Sequence, residues 1–257
     1  MNKLNLIFEF VKREIKERYV GTSLGNLWLI IYPIIMLFIY TVIFSDFMRM
    51  KLNVIDNKYA YSIYLIPGLL SWNFFALSVE RLSNSFFEKA HLIKKVNIPM
   101  YIFYFSIAIS EFIVLIISIF LGIVFVCLVS NCISIGGILS LVVILGLFFI
   151  FTFSLGVIFS LLVPFFRDLK HLIPIILQLW FWMTPIIYPK SIIYNKFPLL
   201  VELNPVYYFI EPMQNIFLYS KTPTFSQFLS IFLISAFTFF LAAFLYKKLI
   251  AEVKDII

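Results

Sequence analysis

Apolar residues follow one another in long runs along this 257-residue chain, and few charges interrupt them. A helix needs about 20 mainly apolar residues to cross the hydrocarbon core of a bilayer. Because lipid offers no partner to a free backbone amide, such runs are expected to be helical. Six transmembrane helices are predicted, at Leu27–Phe47, Ala60–Val79, Tyr101–Ser130, Ile135–Val163, Leu172–Tyr188 and Ser226–Tyr246. The pattern predicts an all-α membrane protein with a single transmembrane domain over residues 1–257.

The N-terminal segment, residues 1–22, carries charge throughout and forms no apolar run. Its apolar residues recur at helical spacing, which predicts an amphipathic helix lying in the membrane interface. A helix packed on a partner protein is the alternative. Gly21 and Gly25 permit a turn from this helix into the first span. Pro33 should kink or restart that span, because proline lacks an amide hydrogen.

Lysine and arginine outnumber the acidic residues by 20 to 13, which gives the chain a net charge of +7. Most of these basic residues fall before the first span, in the second–third and fourth–fifth loops, and after the last span. Cytoplasmic loops of membrane proteins carry an excess of Lys and Arg, so both termini are predicted to be cytoplasmic. Because topology explains the charge, no nucleic-acid partner is predicted.

Two connecting segments have a composition of their own. Residues 80–99 are charged but include apolar residues such as Phe87 and Leu92, and they predict a cytoplasmic coupling helix that docks on a soluble partner. Residues 189–224, on the predicted outer side, are rich in apolar residues, but four prolines divide them into pieces too short to span. They predict short re-entrant helices before the last span. A plain solvated loop is the alternative for each segment.

The fifth span carries a polar amide and several aromatic rings at helical spacing. Such a face favours a pore lining, because aromatic rings contact the C–H faces of sugars over a large area with little directionality. Two tyrosines of the first span are weaker candidates, and helix packing is the alternative for the whole set. The predicted pathway residues are Gln178, Phe181, Trp182, Pro185 and Tyr188 in the fifth span, and Tyr32 and Tyr40 in the first.

Glu111 is a carboxylate inside the third span. Ionisable side chains within the bilayer are costly and normally face protein or water. The favoured interpretation is a hydrogen bond to a neighbouring helix or to a cytoplasmic basic residue. A proton relay is the alternative.

Groups suited to catalysis are scarce. The only two histidines, His91 and His171, lie in predicted cytoplasmic loops, so neither a metal cluster nor a Ser–His–Asp arrangement is favoured. The phosphate-binding loop G-x-x-x-x-G-K-[ST] is missing from the sequence. Cys127 and Cys132 are predicted to be free thiols, with a disulfide as the alternative. The chain is therefore predicted to be no enzyme and to bind no cofactor or metal of its own. A multi-span glycan-processing enzyme is the alternative from another class, and a non-energised channel is a weaker one.

Four segments of the chain resemble the integral-membrane subunit of polysaccharide ABC exporters, the Wzm type that moves lipid-linked O-antigen. They are RYVGTSLGNLW, LIKKVNIP, RDLKHLIPIILQLWFWMTPIIYP and LNPVYYFIEPMQ. The resemblance implies a homodimer in the bacterial inner membrane, paired with two copies of an ATPase subunit that binds ATP and Mg²⁺. It also implies an undecaprenyl-diphosphate-linked polysaccharide as the substrate, with the first and fifth spans lining its path. Exporters of teichoic acid or capsule share the pattern, and a small-molecule or drug ABC exporter permease is the main alternative.

The resemblance also implies roles for particular residues. Leu24 and Gly25 match a Leu-Gly turn near the point where the lipid gains access, and Arg13, Lys16 and Arg18 are placed to meet its anionic diphosphate. The loop from Glu88 to Lys95 matches the helix that receives force from the ATPase. The predicted coupling residues are Phe87, Glu88, His91, Lys94 and Lys95.

Overall fold

The computed structural model describes residues 3–46, 59–95, 98–130 and 132–256, and the regular structure within them is helical. This confirms the predicted all-α class for the described residues. A 3₁₀ turn at Gly25–Leu27 precedes the second helix. The α-helices are α1 (Lys3–Arg18), α2 (Trp28–Asp46), α3 (Ala60–Lys95), α4 (Met100–Val129), α5 (Ile135–Leu162), α6 (Leu169–Met183), α7 (Lys190–Tyr194), α8 (Pro198–Glu202), α9 (Pro205–Tyr219) and α10 (Phe225–Ile256).

Four helices of the described chain, α3, α4, α5 and α10, are long and apolar enough to cross a membrane. The chain is therefore a multi-pass membrane protein. The helices in the predicted first and fifth spans are shorter: α6 has 15 residues, or about 22 Å at a rise of ~1.5 Å per residue. A bilayer core is about 30 Å thick, so the count of six spans stays a prediction.

Helix α3 differs from the prediction. It is a single helix of 36 residues that continues from the second span through the segment predicted as a separate coupling helix. The prediction of a separate helix within residues 80–99 is wrong for this part of the chain. The physical reason is that neither glycine nor proline occurs between Gly68 and Pro99, so the backbone has no reason to leave the helical conformation where the side chains become polar.

The core lies around α3, which packs against α4, α5 and α9. Phe75 of α3 is fully buried, and its ring stacks on Phe148 and Phe151 of α5 at centroid distances of 6.1 and 5.9 Å. Phe209 of α9 packs on the same two α5 rings, at 5.1 Å from each. Helix α9 is thus inserted into the core rather than laid over it.

The segment 189–224 forms the short helices α7, α8 and α9, as predicted. Pro198 and Pro205 each stand at the start of a helix, where the missing amide hydrogen costs nothing. The prediction that Pro212 also divides the segment is wrong, because Pro212 lies inside α9 and is buried there. Likewise Pro33 lies inside α2, which does not restart at that position.

Helix α1 packs on α4 of its own chain. The Phe10 ring lies 5.0 Å from that of Phe103, and Val11 and Glu14 are buried. Its other face leaves Leu4 and Phe8 exposed, as an interfacial helix requires. The arrangement combines the predicted amphipathic character with packing on protein.

One end of the bundle collects the segments that are predicted to be cytoplasmic. Tyr104 near the start of α4 accepts a hydrogen bond from Ser160 near the end of α5, at 2.9 Å, and its ring packs on Tyr246 of α10. Lys170, in the first turn of α6, lies 6.0 Å from the ring centroid of Phe87 on α3. We call this end, which also carries α1, the basic end.

Cys127 in the last turn of α4 and Cys132 in the following turn are free thiols, as predicted. Hydrogen bonding with the Cys127 thiol raises the pKa of the exposed Cys132 thiol. Cys132 is therefore less reactive as a nucleophile than an isolated exposed cysteine.

Candidate substrate pathway and coupling region

A cavity of about 880 Å³ lies between α2, α3, α4 and α6. Along α3 its wall runs from Leu69 to Arg81, which is about 18 Å at a rise of ~1.5 Å per residue. Most of this wall is aromatic or aliphatic, with Asn73, Ser118 and Gln178 as neutral polar positions. The aromatic side chains of the wall are Tyr19, Trp28, Tyr32, Trp72, Phe74, Phe181 and Trp182.

The aromatic wall is held in place by ring contacts between α3 and α6. Trp72 lies 5.5 Å from Phe181 and 6.4 Å from Trp180, measured between ring centroids. Phe181 in turn packs edge-on against Trp182 at 5.4 Å. Trp182 and Tyr32 are each about half exposed, at 55% and 49%, so their rings remain accessible.

The predicted pathway residues are only partly brought together. Tyr32, Gln178, Phe181 and Trp182 all line the cavity. Tyr40 lies on α2, but its side chain falls outside the part of the chain that the structure describes.

Pro185 and Tyr188 do not continue the helical face, because α6 ends at Met183. Thr184 has an extended backbone, with φ −98° and ψ 129°, the conformation that the ring of a following proline enforces. The Pro185 carbonyl instead accepts hydrogen bonds from Tyr64, at 3.3 Å, and from Gln214 at 3.5 Å. The Tyr188 hydroxyl donates back to the carbonyl of Trp182. The prediction that all five residues share one helix face is therefore wrong for these two.

Asn204, the residue before α9, links α9 to the end of α6. Its side-chain oxygen accepts hydrogen bonds from the Trp180 indole at 2.9 Å and from the first amides of α9. Its amide nitrogen donates to Thr184 at 2.8 Å. Asn204 is thus both the N-cap of α9 and the anchor of the last turn of α6.

The residues predicted near the lipid access point are divided between three places. Lys16 and Gly25 line a groove of about 730 Å³ along α1 and the α1–α2 turn. Arg13 pairs with Glu17 on the exposed face of α1, at 2.5 Å. Arg18 turns the other way, into the end of the cavity, and pairs with Glu111.

The α1–α2 turn has the geometry predicted from its glycines. Gly21 and Gly25 have φ values of +82° and +50°, in the left-handed region that side chains with a Cβ disfavour. Leu24 between them is 43% exposed and precedes the 3₁₀ turn. The turn therefore presents an apolar side chain beside the basic face of α1.

The predicted coupling residues occupy the C-terminal part of α3. Phe87 and Glu88 are exposed there. His91, Lys94 and Lys95 also lie on α3, but their side chains fall outside the described part of the chain. Of the described side chains there, Phe87 and Glu88 are therefore accessible from outside the bundle.

A set of ion pairs around two buried carboxylates lies at the basic end, and of its residues only Arg18 was among the predicted site residues. Glu111 of α4 is 2% exposed and pairs with both Arg18 and Arg81. Glu14 of α1 is 3% exposed and pairs with Arg81 at 2.6 Å and with Lys89 at 2.5 Å. Removing one partner of a buried ion pair typically costs about 3–5 kcal/mol, so these contacts fix α1 against α3 and α4.

The favoured interpretation of Glu111, a structural contact to a basic residue, agrees with these contacts. A signal for Glu14 was also present in the sequence. Its neighbours Val11 and Ile15 are apolar residues of α1, and a carboxylate on that side of an amphipathic helix needs a cation opposite it.

The membrane architecture and the cavity agree with the family to which the sequence belongs. A family model of the ABC-2 type transporter matches residues 5–218, from α1 almost to the end of α9. The chain belongs to this family of transporter membrane proteins.

Its relatives within the family have a more specific name. Two proteins of Klebsiella pneumoniae named O-antigen export system permease protein RfbA are each 31% identical to it over 214 residues, which is 83% of this chain and 80% of theirs. A protein of Myxococcus xanthus with the same name is 29% identical over 220 residues, covering 85% of this chain and 82% of its own. The resemblance drawn from the four segments is thereby confirmed.

Proposed function

We propose that this chain is the membrane subunit of an ATP-driven exporter that moves a lipid-linked, O-antigen-type polysaccharide out of the cytoplasm. The observation that carries the proposal is the similarity to O-antigen export permeases over four fifths or more of both chains. ATP and Mg²⁺ are bound by a separate ATPase subunit. Two copies of each subunit form the complex in the bacterial inner membrane, with both termini of this chain cytoplasmic.

The aromatic cavity supports a polysaccharide as the cargo. Rings such as Trp182 and Phe181 offer broad, weakly directional contact to sugar faces, so a polymer can slide past them without being held at one step. Neutral polar groups such as Gln178 exchange hydrogen bonds with hydroxyls. The exposed edges of Tyr32 and Trp182 would face the second subunit, which completes the path.

The basic end supports an anionic lipid as the carrier. Lys16 lines the groove beside Gly25, and Leu24 offers an apolar contact next to it. A diphosphate headgroup would meet Lys16 and Arg13 while its chain stays in the bilayer. Arg18 contributes positive potential from the cavity end, although Glu111 offsets part of its charge.

The C-terminal part of α3 would receive the movement of the ATPase. It is one continuous helix from the cavity wall at Leu69 to Lys95, so displacement of the part that carries the exposed Phe87 and Glu88 moves the wall directly. Reversing the charges of Glu88, Lys94 and Lys95 together should reduce both recovery of the ATPase with this chain and export. Unchanged recovery and export would contradict the docking role.

The proposal is tested in a bacterial strain that assembles the glycan but lacks its own exporter. This chain is expressed with its ATPase, without it, or with an ATPase whose catalytic carboxylate is neutralised, and surface glycan is measured by antibody binding. Glycan should reach the surface only with the active pair. Efflux of a small molecule without surface glycan would favour a small-molecule exporter, and conversion of lipid-linked sugar by the purified chain alone would favour an enzyme.

A further inference from the structure

The buried ion pairs at the basic end join three helices through α3. One nitrogen of the Arg81 guanidinium donates to Glu14 of α1, and another donates to Glu111 of α4. Lys89, two turns further along α3, makes a second contact to Glu14. We call Glu14, Arg81, Lys89 and Glu111 the carboxylate clamp.

The two carboxylates of the clamp are buried, so they depend on their cations more strongly than surface carboxylates do. Glu14 and Glu111 are almost fully withdrawn from solvent, at 3% and 2% exposure. A carboxylate removed from water is tolerated only while its cations stay in place. Arrangements that slide α1 along α3 would leave these charges unpaired, so one relative position of the two helices is strongly favoured.

The clamp also lies between the part of α3 that would contact the ATPase and the α1–α2 turn, where the lipid carrier would gain access. Lys89 directly follows Phe87 and Glu88, the exposed residues near the end of α3. On the other side, Arg18 ends α1, and the turn with positive φ at Gly21 and Gly25 connects α1 to the cavity wall on α2.

We propose that the carboxylate clamp makes α1 move as one unit with the C-terminal part of α3, and that Glu14 and Glu111 are positioning residues for export. Displacement of α3 by the ATPase then pulls α1 and changes the α1–α2 turn, where the lipid carrier would gain access. The inference rests on the proposed function. Glu14 does not line the cavity, and the almost fully buried Glu111 borders only its charged end, so each acts through the helix that it holds.

The test compares Glu14→Gln with Glu9→Gln in the full chain. Both carboxylates lie on α1, but Glu9 is exposed and Glu14 is buried, so the same chemical change is made inside and outside the clamp. In the chain alone in nanodiscs, Glu14→Gln should speed hydrogen exchange of the α1 amides about tenfold or more, as expected for loss of a local restraint. Glu9→Gln should leave that exchange unchanged.

A second measurement uses the complex with the ATPase. A residue needed only for folding would lower complex assembly, ATP hydrolysis and export together, whereas a positioning residue should lower export alone. With the ATPase subunit, Glu14→Gln and Glu111→Gln should keep normal co-purification and ATP hydrolysis, while export per ATP falls about tenfold, the size of effect expected for loss of coupling. Glu14→Asp, which keeps the charge, should recover part of the export. If Glu14→Gln does not accumulate in the membrane, Lys89→Gln, which leaves the Arg81–Glu14 pair in place, should show the same uncoupling in a milder form.

Equal exchange and export in Glu14→Gln and Glu9→Gln would overturn the proposal. Parallel loss of co-purification, ATP hydrolysis and export would also overturn it, because the clamp would then serve only folding. If the wild-type complex exports no glycan while the exchange contrast persists, the proposed function fails and the clamp between α1 and α3 is supported.

Discussion

Replacing Asn204 by alanine should loosen the contact between α6 and α9, because this side chain forms hydrogen bonds with both helices. It is 5% exposed and accepts hydrogen bonds from the Trp180 indole and from the amides of Val206 and Tyr207. Its own amide donates to Thr184. Alanine removes all of these contacts without introducing a clash.

The size of the effect follows from two costs. Loss of an N-cap side chain destabilises a helix by about 1 kcal/mol. The partly buried Trp180 indole is also left without its acceptor, and a buried donor without a partner costs about 1–3 kcal/mol. Since both costs arise from the same side-chain oxygen, we expect Asn204→Ala to lower the free energy of unfolding by about 2–4 kcal/mol.

The measurement is equilibrium unfolding of the purified chain in mixed detergent micelles, followed by tryptophan fluorescence. Asn195→Ala is the matched control, because Asn195 is an exposed residue at the end of α7 and exposed substitutions change stability by about 0.5 kcal/mol or less. Asn204→Asp keeps the acceptor but loses the amide donor and should fall between the two. Equal stability of Asn204→Ala and Asn195→Ala would refute the assignment of Asn204 as the link between α6 and α9.

Three further predictions concern the turn, the bundle and the cavity. Gly25→Val forces a β-branched residue to φ +50°, a strain of about 1–2 kcal/mol, and should reduce surface glycan while the ATPase is still recovered with the chain. Gly146→Ala is the control and should leave surface glycan unchanged, because a Cβ added there meets open space. Gly156→Val places a Cβ 2.4 Å from the nearest carbon of Leu82. Such overpacking costs about 1–3 kcal/mol, so the substitution should lower the thermal unfolding midpoint. An unchanged midpoint would contradict the close α3–α5 contact. Trp182→Ala should slow export more than Trp182→Phe while the complex still hydrolyses ATP, and wild-type export by Trp182→Ala would argue against an aromatic path.

The long spans could be predicted from the sequence because their apolar runs end sharply. Helices α4 and α5 begin and end within one residue of the predicted bounds. The end of α3 could not be predicted by hydropathy, since a helix that leaves lipid keeps its own backbone hydrogen bonds in water. The early end of α6 was predictable in principle, because Pro185 restricts the residue before it.

The candidate site was predictable where it depends on a helix face and not where it depends on partners far apart in the chain. Phe181, Trp182 and Gln178 lie together as their spacing predicts, and Tyr32 joins them across α2. The pairing of Glu14 with Arg81 joins residues 67 positions apart, and helical spacing carries no information about such a contact. Single charged residues in apolar surroundings, such as Glu111, were the one usable signal.

The central claim is that this chain moves a lipid-linked polysaccharide only when an ATPase partner drives it. The most direct measurement reconstitutes the purified chain and its ATPase in vesicles that carry the lipid-linked glycan, and follows access of the glycan to a lectin on the far side. The account predicts ATP-dependent appearance of the glycan there with both subunits, and none with either subunit alone or without ATP. Appearance of the glycan without the ATPase, or its continued absence when the complete complex hydrolyses ATP, would contradict the account.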